Sequence, residues 1–244
     1  CLVGSEMCIR DSLNAYIAAG VYSDHECSTF ENALEKLRKG QFIMIREGTA
    51  AHNLKALMPL LTQQYYSRCM FATDDKHPSD LLYGGHIDYI VKQALKNGAD
   101  PIVALKTATH HAARYFLLNN KGAIASGYLA DIVVVDNLED FNVETVFKRG
   151  KLVFDGEVKD FSAPTVDEEL AEKCFDTFHL NSVTPSSFKV DGKLGLIGLV
   201  GGELLTRNLG TADKIDVEND ILKIACIEPV SYTHLRAHET RGNL

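Results

Sequence analysis

The sequence predicts an α/β fold whose parallel strands carry polar clusters at one end, followed by β-rich segments. Three observations predict it. Apolar runs at Val21–Glu26, Gln41–Arg46 and Cys69–Asp75 alternate with helical patterns, and that order implies right-handed crossovers and a parallel sheet. Each run ends in charge: Asp24-His25-Glu26, Arg46-Glu47 and Asp74-Asp75. Clusters in phase at the C-terminal ends of parallel strands are how a (β/α)8 barrel builds its active face.

The elements follow in order. Leu13 to Gly20 reads as the end of a helix stopped by Gly20. Thr29 to Gly40 is a marked helix: Ser28 or Thr29 caps it, Glu31 sits in the first turn, and Lys36, Arg38 and Lys39 suit the C-terminal dipole. The charges at 35–38 read as a solvated helix face. Asn53 to Leu61 is helical but interrupted at Pro59. After the Cys69–Asp75 strand, Leu81 to Asn97 carries Ile87, Ile90, Val91 and Leu95 at helical spacing, and Gly98 ends it. Asp100 caps a further helix that has Pro101 in its first turn and runs to about Leu118. Beyond Gly122 the pattern becomes short strands at Ile132–Val135, Val143–Phe147 and Lys151–Phe154, an antiparallel element outside the barrel. A loose linker surrounds 160–168, and 188–190, 194–200 and 204–206 suggest a further β-rich domain.

The two ends stand apart. Leu2–Asp11 (LVGSEMCIRD) and Val230–Glu239 (VSYTHLRAHE) can be encoded on opposite strands of one DNA segment, codon for codon. That relation identifies residues 1–12 and 230–244 as translated library adapter, to be left out of fold reasoning. The chain then divides into 13–120 (barrel part), 121–160 (β segment) and 161–229 (partial C-terminal domain). A net charge of −8 argues against non-specific nucleic-acid binding. No apolar run approaches the ~20 residues of a membrane helix. Of the remaining cysteines, Cys27, Cys69, Cys174 and Cys226, none forms a CxxC pair, which fits a reduced cytoplasmic protein.

A strand-end histidine with a later strand-end aspartate is material for a metal hydrolase. Imidazole and carboxylate bind first-row divalent ions, which lower the pKa of water toward neutrality. Two ligands alone make a weak signal. SDHE at 23–26, IREGTAAHNL at 45–54, FATDDKHP at 71–78 and GGHIDYIV at 84–91, however, resemble the bacterial adenine deaminases of the amidohydrolase superfamily. GAIASGYLADIVVVDNLEDF at 122–141 is similar to the segment by which that superfamily returns from barrel to β-sandwich.

The resemblance implies the C-terminal part of a metal-dependent (β/α)8 barrel, strands six to eight, then a β-sandwich segment and a partial β-rich C-terminal domain. It implies hydrolysis of adenine to hypoxanthine and ammonia with Mn or Fe, one ion or a binuclear pair. His25 matches the strand-six metal ligand and Asp74 the strand-eight aspartate, ligand and proton carrier between attacking water and departing ammonia. Glu26, Arg46, Glu47, Asp75, His77 and His86 are candidates for substrate contact or for support of the ligands. The implied partner is a small purine base, with no nucleic acid or membrane, and the intact enzyme is a candidate homo-oligomer. The sequence departs from the pattern by lacking the strand-one His-x-His and the strand-four or strand-five ligands, so the chain alone is expected to be inactive. Two alternatives stay open: a dihydroorotase-like cyclic amidohydrolase, and a non-enzymatic half-barrel.

For His52, His77 and His86 a packed or loop imidazole is the competing reading. His110 and His111 are helical neighbours about 100° apart and cannot chelate one ion, so one faces core and the other solvent. Cys69 reads as packed, and Cys27 as an unlikely nucleophile for want of an adjacent base.

Overall fold

The computed structural model describes residues 13–159, 162, 165–175, 177, 183–189, 192–200, 206–227 and, as backbone, 235–241. The chain divides into two compact units, Cys1–Phe161 and Ser162–Leu244.

The first unit is built on a parallel three-stranded sheet in the order β1 (Ser23–Asp24), β2 (Phe42–Arg46), β3 (Cys69–Ala72). Helix α1 (Leu13–Ala18) precedes β1 and stops at Gly20, whose φ of 94° suits a residue without Cβ. Helix α2 (Phe30–Arg38) links β1 to β2. Thr29 is its N-cap, its side chain accepting from Asn32 N at 3.3 Å, and Ala33 is wholly buried. The link from β2 to β3 runs through α3 (Leu54–Leu57), then a 3-10 turn at Met58–Leu60 around Pro59, the interruption that proline requires. Along β2, Ile43 and Ile45 have no exposed surface. Cys69 and Phe71 of β3 join them in the core with Leu57 and Ile90. The register pairs Asp24 with Ile43, Ile45 with Phe71 and Arg46 with Ala72. All three strands therefore exit at one rim.

The helices after β3 are shorter than their apolar pattern suggests. α4 (Pro78–Tyr83) and α5 (Ile87–Lys96) replace one helix. The break falls at Gly84-Gly85, where Gly85 takes φ 101° and Asp88 Oδ1 accepts from the His86 N–H at 2.8 Å, starting a new first turn. Next, α6 (Pro101–Ala108) begins as expected, with Asp100 accepting from Val103 N at 3.0 Å. α7 (His110–Tyr115) is separated from it at Thr109, whose hydroxyl donates to Leu105 O at 2.7 Å, a back-bond that bends helices. His111 is buried and His110 is not, as their angular offset requires. The antiparallel sheet β4 (Ile132–Val135), β5 (Val143–Lys148), β6 (Lys151–Phe154) completes the unit. Asp131 pins it: Lys121 Nζ donates at 2.5 Å, Arg149 N at 2.9 Å and Lys148 Nζ at 3.2 Å. The Lys121 bond foremost holds that carboxyl well below the usual range.

In the second unit, α8 (Glu168–Phe175) begins at the last residue of the expected linker, and a 3-10 turn at Pro185–Phe188 stands where a strand was expected to begin. The remainder of that expected strand, and residues 201–205, lie largely outside the described residues. β7 (Leu194–Leu199), β8 (Thr206–Ala212), β9 (Ile221–Ile227) and β10 (Leu235–Arg241) form a sheet in the order β8-β7-β10-β9. β10 runs parallel to β7 and antiparallel to β9. It lies within 230–244, the stretch expected to stand outside the fold. Without it, β7 and β9 would each present an edge of unpaired backbone groups, which any extended segment can satisfy whatever its sequence.

Burial sets the first test. Ile90 on α5 is fully buried and Leu82 on α4 is 75% exposed. We expect Ile90→Ala to cost about 2–5 kcal/mol and Leu82→Ala about 0.5 kcal/mol or less, read from urea unfolding midpoints.

Candidate functional site

The rim is assembled by side chains that reach back to backbone. Asn53, buried at the start of α3, accepts from Arg46 N at 2.6 Å and donates to Cys27 O at 3.0 Å and His25 O at 3.4 Å. One amide thus clasps the exits of β1 and β2. Asp24 is 1% exposed. Its Oδ1 accepts from Glu26 N at 2.7 Å, while Oδ2 accepts from Cys27 Sγ at 3.3 Å and from Lys36 Nζ. This carboxylate turns the chain so that His25 and Glu26 leave the strand toward the rim. Lys36, expected on a solvated face, instead folds inward with its side chain 12% exposed.

Three donors converge there. A nitrogen of His25 and carboxylate oxygens of Glu26 and Asp74 lie within 4.8 Å of one another. His25 Nε2 stands 3.3 Å from Glu26 Oε1. Imidazole with two carboxylates suits a first-row divalent ion. Arg46 crosses the cluster. Its Nη1 and Nη2 donate to Glu26 Oε1 and Oε2 at 3.1 Å each, and Nη1 also donates to Asp74 Oδ2. Burial works against the Arg46 charge, but Glu26 and Asp74 outweigh it and raise its pKa.

The other candidates take supporting positions. Glu47 Oε1 accepts from Leu54 N at 3.0 Å and Oε2 meets His52 Nδ1 at 3.1 Å, so this carboxylate closes the loop after β2. Asp75 turns away from the cluster and accepts from Ala50 N at 2.8 Å. Burial pushes its carboxyl up, but backbone N–H groups led by Ala50 and the Arg46 charge hold it below the ordinary range. His77 is the exposed N-cap residue of α4, with its backbone N–H donating to Thr49 Oγ1 at 2.8 Å. His86 Nε2 meets Thr73 Oγ1 at 3.2 Å, beside Asp74 in sequence. Neither histidine belongs to the three-donor group.

Sequence reasoning named Asp24 only as one charge of a strand-end cluster and missed the supporting roles of Lys36, Asn53 and Gly48. A Cβ on Gly48 would fall 1.5 Å from Asp75 Oδ1 and 2.9 Å from Thr73 O. The signal for it was present: a glycine directly after a strand-end Arg-Glu, facing two consecutive aspartates. A separate groove lined by Tyr66, Lys106, His110 and His111 lies elsewhere. His111 Nδ1 meets the carbonyl of Cys69, the first residue of β3, so this groove sits toward the opposite end of the sheet. Burial lowers the His111 pKa and pushes the Cys69 thiol up to about 12, which makes Cys69 a packing residue.

The family model described as "Amidohydrolase family" matches residues 5–153, a span that takes in part of the head assigned above to adapter. Over 232 residues the chain is 42% identical to the adenine deaminase of Kosmotoga olearia, covering 88% of this chain and 39% of that protein. With adenine deaminase 2 of Carboxydothermus hydrogenoformans it is 42% identical over 231 residues, covering 91% and 40%. The chain therefore spans about two-fifths of the length of the curated relatives it matches. The crystal structure of a beta-aspartyl dipeptidase from Fervidobacterium islandicum AW-1 aligns at TM-score 0.46 and 24% identity, over 57% of this chain and 41% of that one.

Two tests follow from the supports. Lys36→Met strands the buried Asp24 carboxylate and should cost about 3 kcal/mol in urea unfolding, whereas Lys39→Met on the same helix should cost about 0.5 kcal/mol or less. Asp75 has a lowered carboxyl pKa, so its contribution is complete above the ordinary carboxylate range and is lost as pH falls through the lowered value. Asp75→Asn should reduce stability at neutral pH and flatten the acid limb of a stability–pH curve. An unchanged acid limb would show that Asp75 holds nothing.

Proposed function

The chain belongs to the amidohydrolase family, and on that premise we propose that it is the C-terminal barrel portion of an adenine deaminase, a hydrolase that converts adenine and water to hypoxanthine and ammonia. The observation that carries this reading is the convergence of His25, Glu26 and Asp74 at the shared exit of three parallel strands. Relatives named adenine deaminases match the chain across most of its length, and none of those named above favours a dihydroorotase. The family is metal-dependent, and the donor set of one imidazole and two carboxylates fits Mn or Fe.

His25 and Asp74 would hold the ion, with Glu26 beside them. A divalent ion there supplies Lewis acidity and a water acidic enough to attack at neutral pH. Asp74 takes a proton from the attacking water as its oxygen bonds to purine C6. It then gives a proton to the exocyclic nitrogen as the C6–N bond breaks, so that ammonia leaves. Arg46 orients Glu26 through its paired N–H groups. Glu47, Asp75 and Gly48 fix the loop that frames this rim. His77 and His86, both exposed after β3, would be the histidines to meet substrate.

The sheet β4–β6 fits the β-sandwich segment of such an enzyme, and the second unit a part of its C-terminal domain. Three donors leave a coordination sphere unfilled, so the activity belongs to the longer protein. No helix among the described residues is long and apolar enough to cross a membrane.

The test uses the full-length enzyme that contains this chain, loaded with Mn, with ammonia release from adenine as the readout. Asp74→Asn should lower kcat about 10²–10⁴-fold. His25→Ala should lower the bound metal as well. Full activity in Asp74→Asn, or no release of ammonia from adenine by the parent enzyme, would sink the proposal.

A further inference from the structure

Arg46 engages the two carboxylates that a divalent ion would need. Its two terminal nitrogens hold both oxygens of Glu26 and one of Asp74, and the residue is 4% exposed. The third donor, Nε–H, is buried and meets no acceptor among the described residues. A buried donor left unpaired is costly, and an arginine serving only to brace a fold would be expected to satisfy it. The pose therefore serves the carboxylates at the guanidinium's own expense.

Charge gives the reason. Two carboxylates whose oxygens lie within 4.8 Å of one another, beside an imidazole, repel unless a cation lies between them. Arg46 supplies one positive charge to that pair. A divalent ion on these carboxylates would by itself balance their two negative charges, so a guanidinium still in place would bring the positive charge to excess at close quarters in a partly buried site.

We propose that Arg46 is a placeholder cation: it keeps Glu26 and Asp74 assembled while no metal is bound, competes with the metal for their oxygens, and gives up Asp74 when the ion enters. The inference rests on the reading of His25, Glu26 and Asp74 as the metal site. By linkage, whatever stabilises the metal-free donors weakens metal binding by the same factor. Removing the guanidinium therefore tightens binding, although Arg46 lies against the ligands and would ordinarily count as their support. Lysine keeps the charge but has no fork. It cannot hold both oxygens of Glu26 and one of Asp74 together, so it competes less well.

The test measures Mn²⁺ affinity of the 244-residue chain from the electron paramagnetic resonance signal of free Mn²⁺, with no turnover required. Arg46→Met should bind Mn²⁺ about tenfold more tightly than the unaltered chain, and Arg46→Lys about threefold more tightly. Arg46→Lys retains the buried charge, so the measurement stands even where Arg46→Met does not fold. His25→Ala serves as the control that the ion occupies this site. Mn²⁺ binding that is lost in His25→Ala, yet unchanged or weakened by both Arg46 substitutions, overturns the placeholder role and leaves the metal-site reading intact. Absence of His25-dependent binding in every variant overturns both.

Discussion

The Arg46 guanidinium ties the exits of all three parallel strands. It stands at the last position of β2, and its partners follow β1 and β3 directly. The tie exists only because the register places Arg46 opposite Ala72 and Ile43 opposite Asp24. A one-residue slip would send Arg46 to the other face of the sheet, since side chains alternate along a strand. The chemistry at the rim thus depends on packing well below it. Ile43 and Ile45 fill the core on the face opposite to their neighbours in β2 and lock the strand in phase.

Charge is buried under this rim as well as displayed on it. Asp24 and Lys36 form a pair beneath His25, with Cys27 and the Glu26 amide completing the carboxylate's bonds. Desolvating such a pair is expensive, and apolar residues of similar volume often do as well for stability. What apolar residues could not do is accept the Glu26 N–H and so fix the direction in which the chain leaves β1. Asn53 does the same for β2 with neutral groups. The two solutions differ because Asn53 meets only backbone, whereas Asp24 also meets an ammonium.

Much of this was legible because it is local. Caps at Thr29 and Asp100, the stop at Gly20 and the charged strand ends are written within a few residues of where they act. The lysine at 36 was misread for the complementary reason: a helical wheel assigns a face, but only the tertiary partner Asp24, twelve positions earlier, makes an inward lysine worthwhile. Periodicity likewise carried one helix across Gly84-Gly85 and another across Thr109, since apolar spacing survives a break that backbone chemistry imposes. In the second unit the pairing of β7 with β10 joins segments far apart in sequence, and no local pattern encodes such a contact.

The doubled aspartate after β3 shows how one motif divides its labour. Asp74 sits at φ 56°, a left-handed conformation that costs most residues about 1–2 kcal/mol but that aspartate tolerates better. That reversal ends β3 at once and sends the two carboxylates to different partners. Asp74 turns to Arg46, and Asp75 turns to the amide of Ala50 across Gly48. Were the chain to continue extended, alternation would also separate the two side chains, but it would carry Asp75 onward along the strand and away from the loop after β2. Because the loop is held by Asp75, Thr49 is available to bind both the His77 amide and Asp80 of α4. The strained aspartate therefore meets Arg46 at the rim, and its unstrained neighbour fastens the loop beside it.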